Sequence, residues 1–461
     1  MAQGSISKNS ITEGIIWKQL LIFFFPIVLG TFFQQLYNTA DTIVVGQFVG
    51  KEALAAVGGS ANQIVNLIVG FFVGLSSGAT VIIAQHYGAR SRGSLNKTLH
   101  TAFAIAIVGS IIISVLGFIF VPFLLKLMKT QESILDTSIL YLRVYFAGII
   151  FVFIYNMGSG ILRAVGDSKH PLYFLIVCCI INIVLDVVFV VVFDMGVLGV
   201  AFATLIAQAV SAILVTITLM RSTDIYRLKL RRIRFNTVSF YSILFIGIPS
   251  GFQTTMYNIA NMFIQSSLNQ LGTDTVAAWT VLGKLDAFNW MIISAFGIAV
   301  TTFIGQNYGA LKFDRVRKST KICLGMTLVT TLLLSIIFVL SAKFVFGLFT
   351  TDKTVIDIGF KMLMVLAPAY IIYVPIEILS GALRGIGNVI VPMVLTCMGV
   401  CVLRIVWLIV VVPKYNTVES ILYSFPISWA ITAVLFIIYY IIKQKKFPLE
   451  LKMEKKAQAE N

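Results

Sequence analysis

Asn182 and Asp186 stand four residues apart in the middle of an apolar run, which puts an amide and a carboxylate on one helix face about one turn apart. An ionised carboxylate in hydrocarbon costs at least a few kcal/mol, so it must face an interior and find a cation, a proton or a hydrogen-bond donor. That is chemistry for holding and releasing a small cation. A second set follows later in the chain. Lys284, Asp286 and Arg404 fall roughly 12, 15 and 12 Å from one end of their apolar runs by helical rise. They are expected to form a buried ion-pair set that neutralises itself and locks helices, with a second cation or substrate site as the alternative. Glu377, after Pro375, is expected to be solvated or paired with a nearby base.

Such side chains need a frame, and composition says which kind. With 58% apolar and 12% charged residues over 461 positions and a mean hydropathy of +0.95, the chain is an integral membrane protein rather than a water-soluble globule. Twelve stretches are long enough to cross the hydrocarbon layer, at roughly 17–43, 56–85, 99–125, 137–160, 171–193, 196–220, 238–268, 276–304, 322–348, 358–382, 389–412 and 421–442. The fold class is therefore all-α. No cleavable signal sequence is expected, because the first run is too long and lacks a small-residue cleavage site, so the first span acts as its own insertion signal.

A net charge of +16 suggests nucleic acid until its placement is examined. Placing the N-terminus in the cytoplasm assigns 25 of the 35 Lys and Arg residues to the inside and seven to the outside, as membrane insertion demands. Both termini are expected inside, and nucleic acid is not a partner. The three left within spans are Arg143, Lys284 and Arg404. The five cysteines lie in apolar spans without metal-ligand spacing and read as small hydrophobic packers.

The frame is duplicated. Tyr87-Gly88-Ala89 and Gly160-Ile161-Leu162-Arg163-Ala164-Val165-Gly166 recur 221 residues on as Tyr308-Gly309-Ala310 and Gly381-Ala382-Leu383-Arg384-Gly385-Ile386-Gly387. These marks read as helix ends and interfacial anchors. The expected order is an N-tail at 1–16, an N-lobe at 17–220, a basic linker at 221–237, a C-lobe at 238–442 and a C-tail at 443–461. Six spans per half is an even number, so the two lobes are parallel repeats. Leu228, Leu230 and Ile233, alternating with cations in the linker, suit a segment lying on an anionic leaflet. The polar contents are not duplicated: Leu403 and Trp407 occupy the positions matching Asn182 and Asp186, and Asn261 matches Asp41 through a shared Tyr-Asn-x-Ala motif.

Leu36-Tyr-Asn-Thr-Ala-Asp-Thr42, Ala84-Gln-His-Tyr-Gly-Ala89, Gly305-Gln-Asn-Tyr-Gly-Ala310 and the paired Leu-Arg-x-x-Gly marks carry a family resemblance. From about Trp17 to Lys443 the chain resembles the multidrug and toxic compound extrusion (MATE) transporters. The resemblance implies two six-helix lobes forming a V and export of organic molecules driven by inward Na⁺ or H⁺. The pattern looks like the DinF-like prokaryotic branch, whose first-lobe site matches Asp41, Asn182, Asp186 and Thr204 here, with Tyr37, Tyr141 and Asn156 as cavity neighbours. The NorM-like branch expects a Glu in the seventh span, and Phe240 to Asn269 contains no acid.

Helical rise supports that grouping. Asp186 lies roughly 22 Å from the inner boundary and Thr204 roughly 12 Å from the outer one, depths that nearly coincide in a core of about 30 Å. Asp41 joins them if its span bends, for which Pro26 supplies a cause. The four side chains suit either a proton held by the carboxylates or Na⁺ held by hard oxygens, while the bland alternative is an interhelical hydrogen-bond pair. The resulting expectation is a monomeric, multi-pass antiporter of the prokaryotic inner membrane, needing no cofactor and exporting cationic or amphipathic organic compounds by alternating access. A lipid-linked oligosaccharide or lipid flippase is the alternative, and a membrane enzyme is disfavoured because no nucleophile, metal or phosphate-loop spacing is present.

Overall fold

A computed structural model describes residues 11–447, and among these the structure is all-helical. In hydrocarbon every backbone N–H and C=O must be satisfied within its own segment, so apolar runs of this length form helices. Ten helices are long and apolar enough to cross a membrane, and the bent pair Glu132–Ala147 and Ile149–Ala164 makes eleven. Thr237–Asn269 is a further helix of 33 residues; it is more polar, carrying Gln253, Asn258 and Asn261. The expected count of twelve is compatible with this set, numbered below in chain order. The expected N-tail and C-tail lie outside the described residues except at 11–16 and 443–447.

The fourth span departs from expectation by breaking into two helices bent by 49°. Gly148 sits at the break and leaves room for Leu205, because a methyl there would come within 2.7 Å of that side chain. The eleventh span also changes character, passing from Ile390–Thr396 through a π-helical stretch, Cys397–Val402, into Leu403–Val410.

The described residues fall into two compact units, one built on Ile22–Gly251 and the other on Phe252 onward together with the N-terminal segment up to Leu21. The boundary is thus inside the seventh span and not in the linker. Glycine explains it. Gly74 and Gly78 of the second span (Asn62–Gly88) face Gly247 and Gly251 of the seventh, so closely that a methyl at Gly78 would strike the Ile243 carbonyl and one at Gly251 would meet the Phe71 carbonyl. This small-xxx-small crossing joins the start of the seventh span to the first unit.

Within the first unit, Phe72 and Phe153 stack with ring centroids 3.5 Å apart. The third span, Arg92–Leu127, buries Thr98, Thr101 and Ser110 and exposes Ile111, Ile112, Val115 and Ile119. Polar atoms inside and aliphatic ones outside is the arrangement lipid favours. All five cysteines are buried and unbridged, as packers would be.

In the second unit, the N-terminal segment is clamped through its own main-chain carbonyls by Arg315 and Lys312. The Arg315 guanidinium donates to Ile11, Glu13 and Gly14 and to the Gln19 side chain at 2.8–3.1 Å. Lys312 Nζ adds a bond to the Thr12 carbonyl at 2.9 Å.

Candidate functional site

Four helices of the first unit each present a pair of side chains spaced by four, which puts each pair on one face. The first span, Ile16–Val44, contributes Tyr37 and Asp41, and the fourth contributes Tyr141 and Tyr145. Asn182 and Asp186 come from the fifth (Lys169–Asp186), and Thr204 and Gln208 from the sixth (Gly196–Arg221). The helix of the first span runs through Pro26 without interruption.

The pairs meet. Thr204 Oγ1 donates to Asp41 Oδ2 at 3.4 Å, and Gln208 Nε2 donates to the Tyr37 hydroxyl at 3.3 Å. Asp41 also neighbours Asn182 and Asp186, and Tyr141 neighbours both carboxylates. Tyr141 and Tyr145 stack with centroids 6.4 Å apart. Asn182 and Asp186 are fully buried at 0% exposure. Burial of this degree normally comes with satisfied hydrogen bonds. Here, however, Asp41 Oδ1, both oxygens of Asp186 and both polar atoms of Asn182 adjoin one another but have no hydrogen-bond partner in bonding geometry among the described residues. Four carboxylate or amide oxygens are therefore left available around one point.

Two helix irregularities flank this point. The first span turns π-helical at Val45–Val49, four residues beyond Asp41, and the fifth does so at Val187–Val192, immediately after Asp186. The two π stretches pack against each other. A π turn leaves backbone groups out of register and is often found beside functional residues.

Asn156, expected as a cavity neighbour, donates its amide to the Val152 carbonyl of its own helix at 2.8 Å. Its hydrogen bond therefore does not reach the carboxylates. Gln208 went unnoticed in the sequence, although its spacing from Thr204 was available as a signal.

The second-unit charges are not joined as expected. Lys284 is exposed, Asp286 accepts a hydrogen bond from Tyr370, and Arg404 is buried at 3% exposure with no carboxylate partner among the described residues. Two residues apart on a helix is about 200°, so Lys284 and Asp286 share a depth but not a face. Arg404 instead lies over the rings of Phe425 at 4.0 Å and Trp429 at 5.6 Å and donates to Ser428 Oγ at 3.5 Å. Glu377 has a base partner: Arg384 lies at 3.7 Å, and the Tyr373 hydroxyl donates to it at 3.3 Å.

This double frame can be compared with known proteins. The MatE family model matches residues 26–188 and again 249–410, one match in each half. The chain belongs to the MATE family. Its members are transporters rather than enzymes, and this MATE protein is accordingly a multi-pass membrane protein. It is similar to the probable multidrug resistance protein YoeA of Bacillus subtilis, with 26% identity over 94% of this chain and 95% of that protein. The probable multidrug resistance protein YpnP of the same organism is 29% identical, over 85% of this chain and 88% of its own length. Among solved structures, the outward-facing conformation of a multidrug resistance MATE family transporter superimposes with a TM-score of 0.89, at 23% identity, over 96% of this chain and all of that one. That likeness shows the fold.

Proposed function

We propose that this MATE protein is a secondary active exporter of organic cations or amphipathic compounds, exchanging them for H⁺ or Na⁺ by alternating access. The carrying observation is the Asp41, Asn182, Asp186 and Thr204 group, in which Thr204 donates to Asp41 Oδ2 while Asp41 Oδ1, both Asp186 oxygens and Asn182 Oδ1 have no donor among the described residues. A buried carboxylate without a donor is expensive unless a cation or a proton joins it. Two such groups side by side create a site whose free energy depends strongly on loading, which is the requirement for coupling.

The donor set fits either ion. Carboxylate, amide and hydroxyl oxygens are the hard ligands that an alkali cation accepts. A proton placed on one carboxylate gives it a hydrogen to donate to the other, which answers two of the orphaned atoms together. Among the described residues no three His, Cys, Asp or Glu side chains gather, so the donors do not resemble a transition-metal site. The neighbouring Tyr37, Tyr141 and Tyr145 offer ring faces and hydroxyls to an organic cation. Loading the carboxylates removes negative charge from beside those rings, which favours release of a cationic substrate.

The names of YoeA and YpnP agree with efflux of this kind. The setting proposed is the prokaryotic inner membrane, with both termini cytoplasmic and the monomer as the working unit. The test is efflux of a permanent organic cation such as ethidium from proteoliposomes, with Na⁺ and H⁺ gradients imposed one at a time. One gradient is expected to drive ethidium outward; failure of both would reject antiport.

A further inference from the structure

Between Arg221 and Arg234 the linker carries six cations and one acid. The acid, Asp224, accepts from the Tyr87 hydroxyl at 3.1 Å and from the Ile225 backbone. Among the described residues no ion pair involves a linker cation. Leu228 is buried, Ile233 half-buried and Leu230 exposed, so the alternation seen in the sequence does not make one continuous apolar edge. Arg231, Arg232 and Arg234 are exposed.

This linker is fixed to the third span. The Lys229 N–H donates to His100 Nε2 at 3.1 Å, the Asn236 N–H donates to Thr101 Oγ1 at 3.1 Å, and that hydroxyl lies 3.4 Å from the Arg234 carbonyl. About one turn beyond Thr101 a groove of about 410 Å³ begins. Ile105, Val108 and Ile112 form one wall, while Phe235, Phe240 and Tyr241 form the other. Phe235, in the groove wall, directly follows Arg234, with the exposed Arg231 and Arg232 just before it in the chain. Val108, Ile112, Phe235 and Tyr241 are 41–67% exposed, leaving the channel open along its length.

Apolar surface facing a bilayer is ordinary; a groove whose wall begins at the residue after three exposed arginines, none in an ion pair among the described residues, is more specific. We propose that the groove and linker bind an anionic phospholipid, with an acyl chain between the third and seventh spans and the headgroup phosphate on Arg231, Arg232 and Arg234. Guanidinium groups match phosphate through paired N–H donors, and each basic residue near a membrane surface favours anionic lipid. A zwitterionic lipid would fill the groove without balancing the charge. A free phosphate would meet the arginines without using the groove. The site is separate from the carboxylates and does not rest on the transport proposal.

The test is native mass spectrometry of the full chain titrated with phosphatidylglycerol or phosphatidylcholine of identical chains. Phosphatidylglycerol is expected to bind more tightly, and Arg231→Gln, Arg232→Gln and Arg234→Gln to weaken it by about fivefold per cation, with phosphatidylcholine unaffected. Lysine at the same three positions retains the charge, checks folding and is expected to preserve the preference. Gly109→Leu fills the groove, since a Cβ there meets only the Phe72 ring at 3.9 Å, and is expected to weaken both lipids. Equal binding of the two lipids by the unaltered chain would overturn the proposal. So would unchanged phosphatidylglycerol binding in the glutamine variant or in Gly109→Leu. Displacement of the lipid by millimolar glycerol phosphate would identify a free-anion site and also overturn it.

Discussion

Thr204 Oγ1 donates to Asp41 Oδ2 at 3.4 Å, linking residues 163 positions apart in sequence. Among the described residues, Asp41 Oδ1 and both Asp186 oxygens have no donor in bonding geometry, although Asn182 and Asp186 adjoin Asp41. Hydrogen bonds to charged groups contribute about 1.5–3 kcal/mol. Thr204→Val is expected to change the apparent affinity for the coupling ion about tenfold, with Thr204→Ser near the unaltered value. Ion-dependence curves of efflux in proteoliposomes measure this, and superimposable curves would remove Thr204 from the site.

The crossing of the second and seventh spans predicts a steric defect. A methyl at Gly78 would meet the Ile243 carbonyl and the Gly247 backbone, neither of which can turn aside as a side chain would. Gly78→Ala is expected to destabilise by about 1–3 kcal/mol. Thermal unfolding in detergent reads the effect, with Gly93→Ala as a control because a Cβ there meets nothing within 4 Å.

Arg404 rests on aromatic rings and, among the described residues, has no carboxylate partner. Exchange for an apolar side chain of similar length therefore strands no buried counter-charge. Arg404→Met is expected to keep stability within about 1 kcal/mol, the order of the cation–π contribution lost, and to leave transport intact. Lost transport at unchanged stability would instead give Arg404 a direct role with substrate or ion.

Arg315 holds three successive parts of the N-terminal segment through their carbonyls, at Ile11, Glu13 and Gly14. The duplicated position 221 residues earlier is Ser94, so this clamp belongs to one half alone. Arg315→Ala is expected to speed cleavage after Glu13 by a glutamate-specific protease roughly tenfold, because that backbone then opens more often. An unchanged rate would show that Lys312 and the other contacts suffice.

Much of this is legible in the sequence. Apolar run length gave the helices, and the 221-residue echo gave the double frame, since both are one-dimensional periodicities. The i, i+4 spacing correctly put Asn182 beside Asp186 on one face. Depth along a helix was a weaker guide: it brought Asp41 and Thr204 together, but it also grouped Lys284 with Asp286, which project in different directions. Position around the helix axis decides contact, and depth carries no record of it. The π-helical turns after Asp41 and Asp186 share no sequence mark, since one is Val-Gly-Gln-Phe-Val and the other a run of five valines and a phenylalanine. The boundary between the compact units, inside the seventh span, has no mark of its own in the sequence. Only the spatial pairing of Gly74 and Gly78 with Gly247 and Gly251 shows what those glycines do.

The central claim is that the paired carboxylates couple ion entry to substrate exit. Its most direct measurement is ethidium efflux from proteoliposomes holding the unaltered chain, Asp41→Asn or Asp186→Asn, under the one ion gradient that drives the unaltered protein. The account predicts that both variants still bind ethidium but lose gradient-driven efflux. Full coupled transport in both would contradict it.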